Sequence, residues 1–144
     1  MGQNIIDAWA KGLIGKSFVW GHTDCHQLLY QFVKITNPTW TDPHGLGRLA
    51  GTYSNKLEAI RVARQLKIPE WFAELDYTCK SVNKIETGDI AVVKNTDSRI
   101  TYDMYWPVIY NNTVMVADPT DDMIKQRHIH EMSLYDFQVY RRNQ

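Results

Sequence analysis

The sequence has 144 residues with 16 basic and 16 acidic side chains, so its formal net charge is zero. A chain of this length with 44% hydrophobic and 22% charged residues is expected to form one globular domain, residues 1–144. The neutral balance argues against a nucleic-acid partner, because binding to phosphates requires a basic surface.

No apolar run reaches membrane-spanning length, and the first residues lack the zones of a signal peptide. We therefore expect no membrane span and synthesis in a cytosol. The two cysteines, Cys25 and Cys79, are too few for a disulfide framework, and we expect them not to bond to each other. No CxxC or paired-histidine zinc spacing is present, so the sequence predicts neither a metal nor another cofactor.

Apolar residues at helical spacing predict two helices near the N-terminus. Asn4 can cap the first of them. After a short β-like run, 17–20, the second begins at or near Cys25, where Thr23 or Asp24 can cap it. Each stripe of apolar residues should face the core, and the first helix should pack on the back of the second. The stripes are Ile5, Ile6, Trp9 and Leu13 in the first helix, and Cys25, Leu28, Leu29, Phe32 and Val33 in the second.

Prolines and Asn/Asp residues then predict a loop over 37–45, and two further helices follow it. The third helix should start after Ser54 or Asn55, because Asn55 and Glu58 form a capping pair. Pro69 fits the first position of a short fourth helix. The expected buried residues are Leu57, Ile60, Ala63 and Leu66 in the third helix, and Trp71, Phe72 and Leu75 in the fourth.

The second half of the chain reads as strands. Asn111-Asn112 separates two β-like runs and should form a two-residue hairpin turn. Residues 118–121 should turn again. Helices first and an antiparallel sheet afterwards predict an α+β domain. The expected strands are 77–82 at an edge, 90–93 at the centre, and then 101–110, 113–117 and 137–140.

Cys25 lies in the first predicted turn of the second helix. The free N–H groups and the positive end of the helix dipole favour thiolate over thiol there. Such a sulfur can act as a nucleophile, and the same N–H groups can hold an oxyanion. The alternative is that Cys25 is only a small apolar residue packed at the start of a buried helix.

Five short motifs follow one another over residues 14–140, and their order is more specific than any one of them: Trp20-Gly21, Asp24-Cys25, Gly51-Thr52-Tyr53, a helix over Glu58 to Leu66, and Gly88-Asp89-Ile90. In this order they resemble NlpC-type cysteine peptidases, compact papain-like enzymes that cut cell-wall peptides. More narrowly, the chain is similar to a small NlpC-like family of tailed phages and prophages. The resemblance implies a papain-like α+β domain, with N-terminal helices packed on a small antiparallel sheet.

The resemblance also assigns roles to residues near the cysteine. It implies Cys25 as the nucleophile, and it implies that Phe18, Trp20 and His26 line the substrate groove. Asp24 either binds a substrate amine, as in the family, or only caps the helix. Two of these residues depart from the family pattern. Phe18 stands where the enzymes usually carry a tyrosine, and His26-Gln27 replaces a small pair after the cysteine.

The general base of the family is missing from its usual place. In the enzymes, a histidine opens the strand that follows the Gly-Asp-Ile strand, and the matching segment 101–110 contains none. Its nearest equivalents, Tyr105 and Trp106, cannot accept a thiol proton at neutral pH. His22 or His128 could serve instead, although each is also readily explained as an exposed or hydrogen-bonded structural histidine.

The remaining histidines allow three more arrangements. His26 is adjacent to Cys25, but neighbouring helical positions point about 100° apart. His44 and His130 are further candidates for the base. His128 and His130 could also bind a metal together with Asp121 or Asp122, although this spacing is not distinctive.

The sequence therefore supports two hypotheses of function. The first is a structural protein of a phage virion, in the tail or ejection apparatus, with a degenerate active site and other virion proteins as partners. The alternative is a virion-associated cysteine endopeptidase or amidase that cuts peptidoglycan during phage entry. Both imply a protein made in the cytoplasm of the bacterial host and located in the virion.

Overall fold

The computed structural model describes residues 2–80, 85–95, 102–117, 122–132 and 136–143. Over these ranges the chain forms four α-helices and a six-stranded antiparallel sheet, which confirms the predicted α+β class. The helices are α1 Gly2–Leu13, α2 Cys25–Thr36, α3 Lys56–Leu66 and α4 Ile68–Glu74. The strands are β1 Tyr77–Lys80, β2 Ile90–Asn95, β3 Tyr102–Tyr110, β4 Thr113–Ala117, β5 Ile124–His128 and β6 Phe137–Arg142.

The sheet has the strand order β1-β6-β2-β3-β4-β5. As predicted, β1 lies at an edge and β2 lies inside the sheet, between β6 and β3. Asn111-Asn112 joins β3 to β4, and Asn112 adopts a φ of 64°, which asparagine tolerates better than most residues. Val82, Thr101 and the turn predicted over 118–121 lie outside the described residues.

The core forms where α2 packs on β3 and α1 packs on α2. Trp9 of α1 meets Phe32 of α2 with ring centroids 5.6 Å apart. The predicted buried face of α2 is confirmed: Cys25 is 5% exposed, and the four side chains of the stripe that follow it are at most 1% exposed. These side chains are Leu28, Leu29, Phe32 and Val33.

The predicted start of α3 is also confirmed. The Asn55 side-chain oxygen accepts from the Glu58 backbone N–H at 3.0 Å, and the Glu58 carboxylate accepts from the Ser54 backbone N–H at 2.9 Å. Both bonds satisfy N–H groups that have no acceptor within the helix. The next helix, α4, begins at Ile68, so Pro69 is its second residue, one position later than predicted and still within the first turn.

Several details of the sequence-based prediction are wrong. The first helix begins at Gly2, so Asn4 lies inside it and does not cap it. Ile5 is 42% exposed and Leu57 is 60% exposed, because α1 turns Ile6 toward the core and α3 turns Ala59 and Ile60 toward it.

The run 17–20 is also not a strand, since it makes a single β-bridge between Ser17 and Met123. The β5 strand was not predicted at all. None of the helices in the described ranges is long and apolar enough to cross a bilayer.

Candidate functional site

Asp24 is the centre of a hydrogen-bond network that ties the loop before α2 to residues 51–53. One oxygen of its carboxylate accepts from the Gly21 backbone N–H at 3.0 Å. The Tyr53 hydroxyl donates to the other oxygen at 2.8 Å. The Gly51 backbone N–H donates to the Gly21 carbonyl at 2.9 Å. The adjacent Trp-Gly and Asp-Cys motifs therefore meet the distant Gly-x-Tyr motif beside the start of α2.

Gly21 is required by this arrangement. Its φ of 82° lies in the left-handed region, where residues with a Cβ are strained. A Cβ on Gly21 would also lie 2.3 Å from the Tyr53 carbonyl oxygen, far closer than two such atoms can approach. The Trp-Gly motif therefore has a steric explanation that is independent of catalysis.

The predicted caps of α2 are wrong in detail. Asp24 occupies the N-cap position, but its side chain makes no capping hydrogen bond to the helix. The Thr23 hydroxyl instead accepts from the Val19 backbone N–H at 2.7 Å and donates to the Ser17 carbonyl at 2.9 Å. Both side chains hydrogen-bond within the loop in front of the helix.

The Asp24 carboxylate is also enclosed. It has no exposed surface, and this burial raises the pKa of its carboxyl, while the hydrogen bond from Tyr53 opposes that rise. Binding a substrate amine would require breaking the bonds from Gly21 and Tyr53. In this geometry Asp24 has a structural role, because it holds the loop before α2 against residues 51–53.

Cys25 is the first residue of α2, as predicted, and it is 5% exposed. Phe18, Trp20, Cys25 and His26 all line one cavity, so the structure brings together four of the predicted site residues. Phe18 and Trp20 meet edge to face with ring centroids 4.8 Å apart. The other lining residues are Lys56, Ala59 and Ile60 of α3, Met104 of β3 and Ala117 of β4.

This cavity has a volume of only about 10 Å³. That volume corresponds to roughly one water molecule. Residues from the first half of α3 form part of its wall, and no local pattern indicates that α3 lies there. Among the described residues, the space that Cys25 lines here is too small for a peptide bond and its flanking residues.

His26 shares the cavity with Cys25 although the two residues are adjacent in the helix. Its side chain is buried, and its ring lies 5.7 Å from that of Tyr105. Its Nδ1 atom is 3.6 Å from the Asp24 carboxylate, which is too long for a hydrogen bond. Among the described residues, neither ring nitrogen has a hydrogen-bond partner. Burial lowers the pKa of His26 from 6.5 to about 4, so the ring is neutral at pH 7 and this pair is not ionic.

We expect His26 to make the fold sensitive to acid. Unfolding exposes the ring and restores its ordinary pKa, so the unfolded state gains the proton first as pH falls below about 6.5. Stability from this source is therefore full at neutral pH and is lost progressively toward pH 4. The expected loss is roughly 2–3 kcal/mol, because protonation of buried Asp24 works in the opposite direction.

Urea unfolding at pH 7, 6, 5 and 4 measures this effect against the His26→Gln variant. The variant lacks the titrating ring and should lose correspondingly less stability over the same range. Parallel pH profiles for the two proteins would show that His26 is not the source of the acid sensitivity.

The other histidines lie elsewhere in the fold. His22 is exposed and lies against Gly51, whose Cβ position would be 3.3 Å from the ring. His44 forms a 2.8 Å contact with the Glu74 carboxylate and stacks on Trp71 with centroids 5.1 Å apart. These contacts account for His44 as a structural residue.

His128 ends β5, and His130 follows in a short 3-10 helix, Ile129–Met132. Both are exposed, and their rings stack with centroids 4.7 Å apart. Within the described ranges no group of three or more His, Cys, Asp or Glu residues could hold a metal ion. Asp121, one of the two acidic residues considered as a metal ligand, lies outside those ranges.

The strand that should carry the base histidine instead carries buried aromatic residues. Tyr105 and Trp106 of β3 are both buried, and Tyr105 packs near Phe72 as well as His26. Burial raises the pKa of Tyr105 well above its ordinary value, so its hydroxyl remains protonated at neutral pH. Tyr105 therefore cannot replace the missing base.

Asp89, from the Gly-Asp-Ile motif, has a structural explanation. It accepts two hydrogen bonds from the Arg141 guanidinium, from Nε at 3.0 Å and from a terminal nitrogen at 2.8 Å. It also accepts from the Glu86 backbone N–H at 2.9 Å, which holds the turn before β2. The motif thus joins β2 to the last strand, and the ion pair is a contact that the sequence did not reveal.

Neither cysteine forms a disulfide bond, and Cys25 is buried whereas Cys79 is exposed on β1. We expect two thiols per chain after denaturation without reductant. In the native protein a thiol reagent such as DTNB should titrate Cys79 rapidly and Cys25 slowly. A count of one or none after denaturation would contradict the absence of a disulfide between them.

Comparison with known proteins gives no relative: no family model, curated protein or solved structure matches this chain.

Proposed function

We propose that this chain is a non-catalytic protein of the NlpC-like fold that serves a structural role in a phage virion, in the tail or ejection apparatus. The observation that carries the non-catalytic part is the cavity of about 10 Å³ at Cys25, since no peptide substrate fits it. The partners under this proposal are other virion proteins.

Two features support the fold assignment. The helix that begins with Cys25 packs on an antiparallel sheet, as the resemblance leads one to expect. The Trp-Gly, Asp-Cys and Gly-x-Tyr motifs also form one network around Asp24. The assignment to a phage virion is supported by the order of these motifs along the chain. It is an inference from resemblance, because fold alone does not imply function.

The alternative is a cysteine endopeptidase or amidase that cuts peptidoglycan. It is favoured by one observation, that Cys25 at the helix N-terminus and a neutral His26 line the same cavity. A neutral imidazole can accept a thiol proton. Under this alternative, Lys56, Ala59 and Ile60 of α3 would have to move away from the sulfur before a substrate could enter.

Release of soluble fragments from purified cell wall separates the two functions. The structural proposal predicts no release by the wild-type chain, and it predicts that Cys25→Ser still assembles into particles. Cys79→Ser is the matched control, because Cys79 is exposed and distant in sequence from the candidate site. Fragment release that is lost in Cys25→Ser and kept in Cys79→Ser would establish the peptidase instead.

A further inference from the structure

We infer that a second cavity, beside the end of β6, binds a small molecule through one carboxylate group and that Arg142 recognises this group. The cavity shares no lining residue with the space at Cys25. The inference goes beyond the proposed role in a virion and does not depend on it. It rests on the size of the cavity, on a guanidinium that no carboxylate neutralises, and on two acidic side chains in the same wall.

The cavity is large enough for a small organic molecule. Its volume is about 390 Å³, which lies within the range of small-molecule sites. It forms where the first turns of α1, the last residue of α2, the start of β1 and the end of β6 meet the turn before β2. A Cβ added to Gly88 in that turn would meet no atom within 4 Å, so the backbone there leaves the space open.

Arg142 supplies the positive charge that is available to a ligand. One terminal nitrogen of its guanidinium donates to the Thr36 carbonyl at 3.2 Å, which holds the group at the C-terminus of α2. Among the described residues, this guanidinium forms no ion pair with a carboxylate, and its side chain is exposed. The remaining N–H groups can donate two parallel hydrogen bonds to the oxygens of a carboxylate.

The neighbouring Arg141 is already neutralised. Its Nε and one terminal nitrogen donate to the Asp89 carboxylate at 3.0 and 2.8 Å, and the other terminal nitrogen lies 3.7 Å from the Glu86 carboxylate. The wall therefore holds two negative charges beside the unpaired charge of Arg142. These acidic groups repel a phosphate, which carries close to two negative charges at pH 7, more strongly than they repel a singly charged carboxylate.

The rest of the wall favours a ligand with a short apolar part. Ile6 and Tyr77 line the same cavity and are 2% and 4% exposed, so their side chains form a fixed apolar surface. Each methylene that such a surface removes from water strengthens binding by up to roughly fourfold. A short aliphatic carboxylate combines this contact with the two hydrogen bonds from Arg142.

Titration of the ¹⁵N-labelled chain, followed by NMR at constant ionic strength, tests the site. We expect butyrate to cause saturable shifts of the backbone amides of Thr87, Gly88 and Arg142, with a dissociation constant in roughly the millimolar range. Acetate, which lacks two methylenes, should bind roughly fivefold or more weakly. Inorganic phosphate and butylamine should cause no saturable shifts at these amides. The absence of saturation with butyrate, or tighter binding of phosphate than of butyrate, would overturn the proposal.

The role of Arg142 is tested with Arg142→Gln, which keeps a donor for the Thr36 carbonyl and removes the charge. We expect its affinity for butyrate to fall by roughly tenfold or more. Arg127→Gln is the matched control and should bind butyrate like the wild type, because Arg127 lies on β5, outside the cavity lining, and faces Glu131 at 3.6 Å.

Arg142→Lys provides a second variant in case the first does not fold. It keeps the charge but loses the planar fork, so its affinity should fall by roughly threefold or more. Wild-type affinity in either variant, with a folded spectrum, would overturn the assignment of the carboxylate to Arg142.

Discussion

Gly21→Ala should destabilise the protein by roughly 2–5 kcal/mol. A left-handed conformation costs a residue with a Cβ about 1–2 kcal/mol, and forcing an atom into a packed position costs about 1–3 kcal/mol more. Both contributions apply, since Gly21 has a φ of 82° and its Cβ would lie 2.3 Å from the Tyr53 carbonyl oxygen. The backbone around Asp24 must shift to relieve this contact, so the cavity at Cys25 should change as well.

Equilibrium unfolding in urea measures the loss, with Gly12→Ala as the matched control. Gly12 lies in α1, and a Cβ there would meet no atom within 4 Å. Alanine is a better helix former than glycine, so this control should be neutral or stabilising by up to about 1 kcal/mol. Equal free energies of unfolding for the two variants would show that a Cβ is tolerated at Gly21.

Phe32→Ala should cost about 3–5 kcal/mol, through lost burial and the cavity that the missing ring leaves. Phe32 has no exposed surface, and its ring meets that of Trp9 where α1 packs on α2. Because the Phe32 ring packs between two helices, a small shift of one helix cannot fill the space that its removal leaves. Thermal or urea unfolding gives the value directly.

Phe137→Ala is the control for that substitution. Phe137 lies on β6 and is only partly buried, so its truncation removes less apolar surface from the core. We expect its cost to be less than half that of Phe32→Ala. Similar losses at the two positions would mean that α2 does not occupy the centre of the core.

Local patterns in the sequence determined much of the fold. The apolar spacing of α2 gave its buried face, and the pair Asn55 and Glu58 gave the start of α3, because helix periodicity and capping depend on residues within one or two turns. Asn111-Asn112 gave the hairpin for the same reason, since the turn depends on the backbone preference of those two residues. These predictions needed no knowledge of distant contacts.

The candidate site was predicted only in part. The family resemblance, rather than helix geometry, placed Phe18, Trp20 and His26 beside Cys25, and all four line one cavity. The bond from Tyr53 to Asp24 joins residues 29 positions apart, and nothing local to either residue indicates it. The same holds for the two hydrogen bonds between Asp89 and Arg141.

Only the tertiary structure decided whether the site is open. Leu57 has the spacing of a core residue, yet it is exposed, because the rotation of α3 about its axis is set by the surface on which it packs. That same packing brings Lys56, Ala59 and Ile60 against the cavity and leaves about 10 Å³ at the sulfur. The chemistry of Cys25 was readable from its helix, whereas the space around it depends on contacts between elements that are distant in sequence.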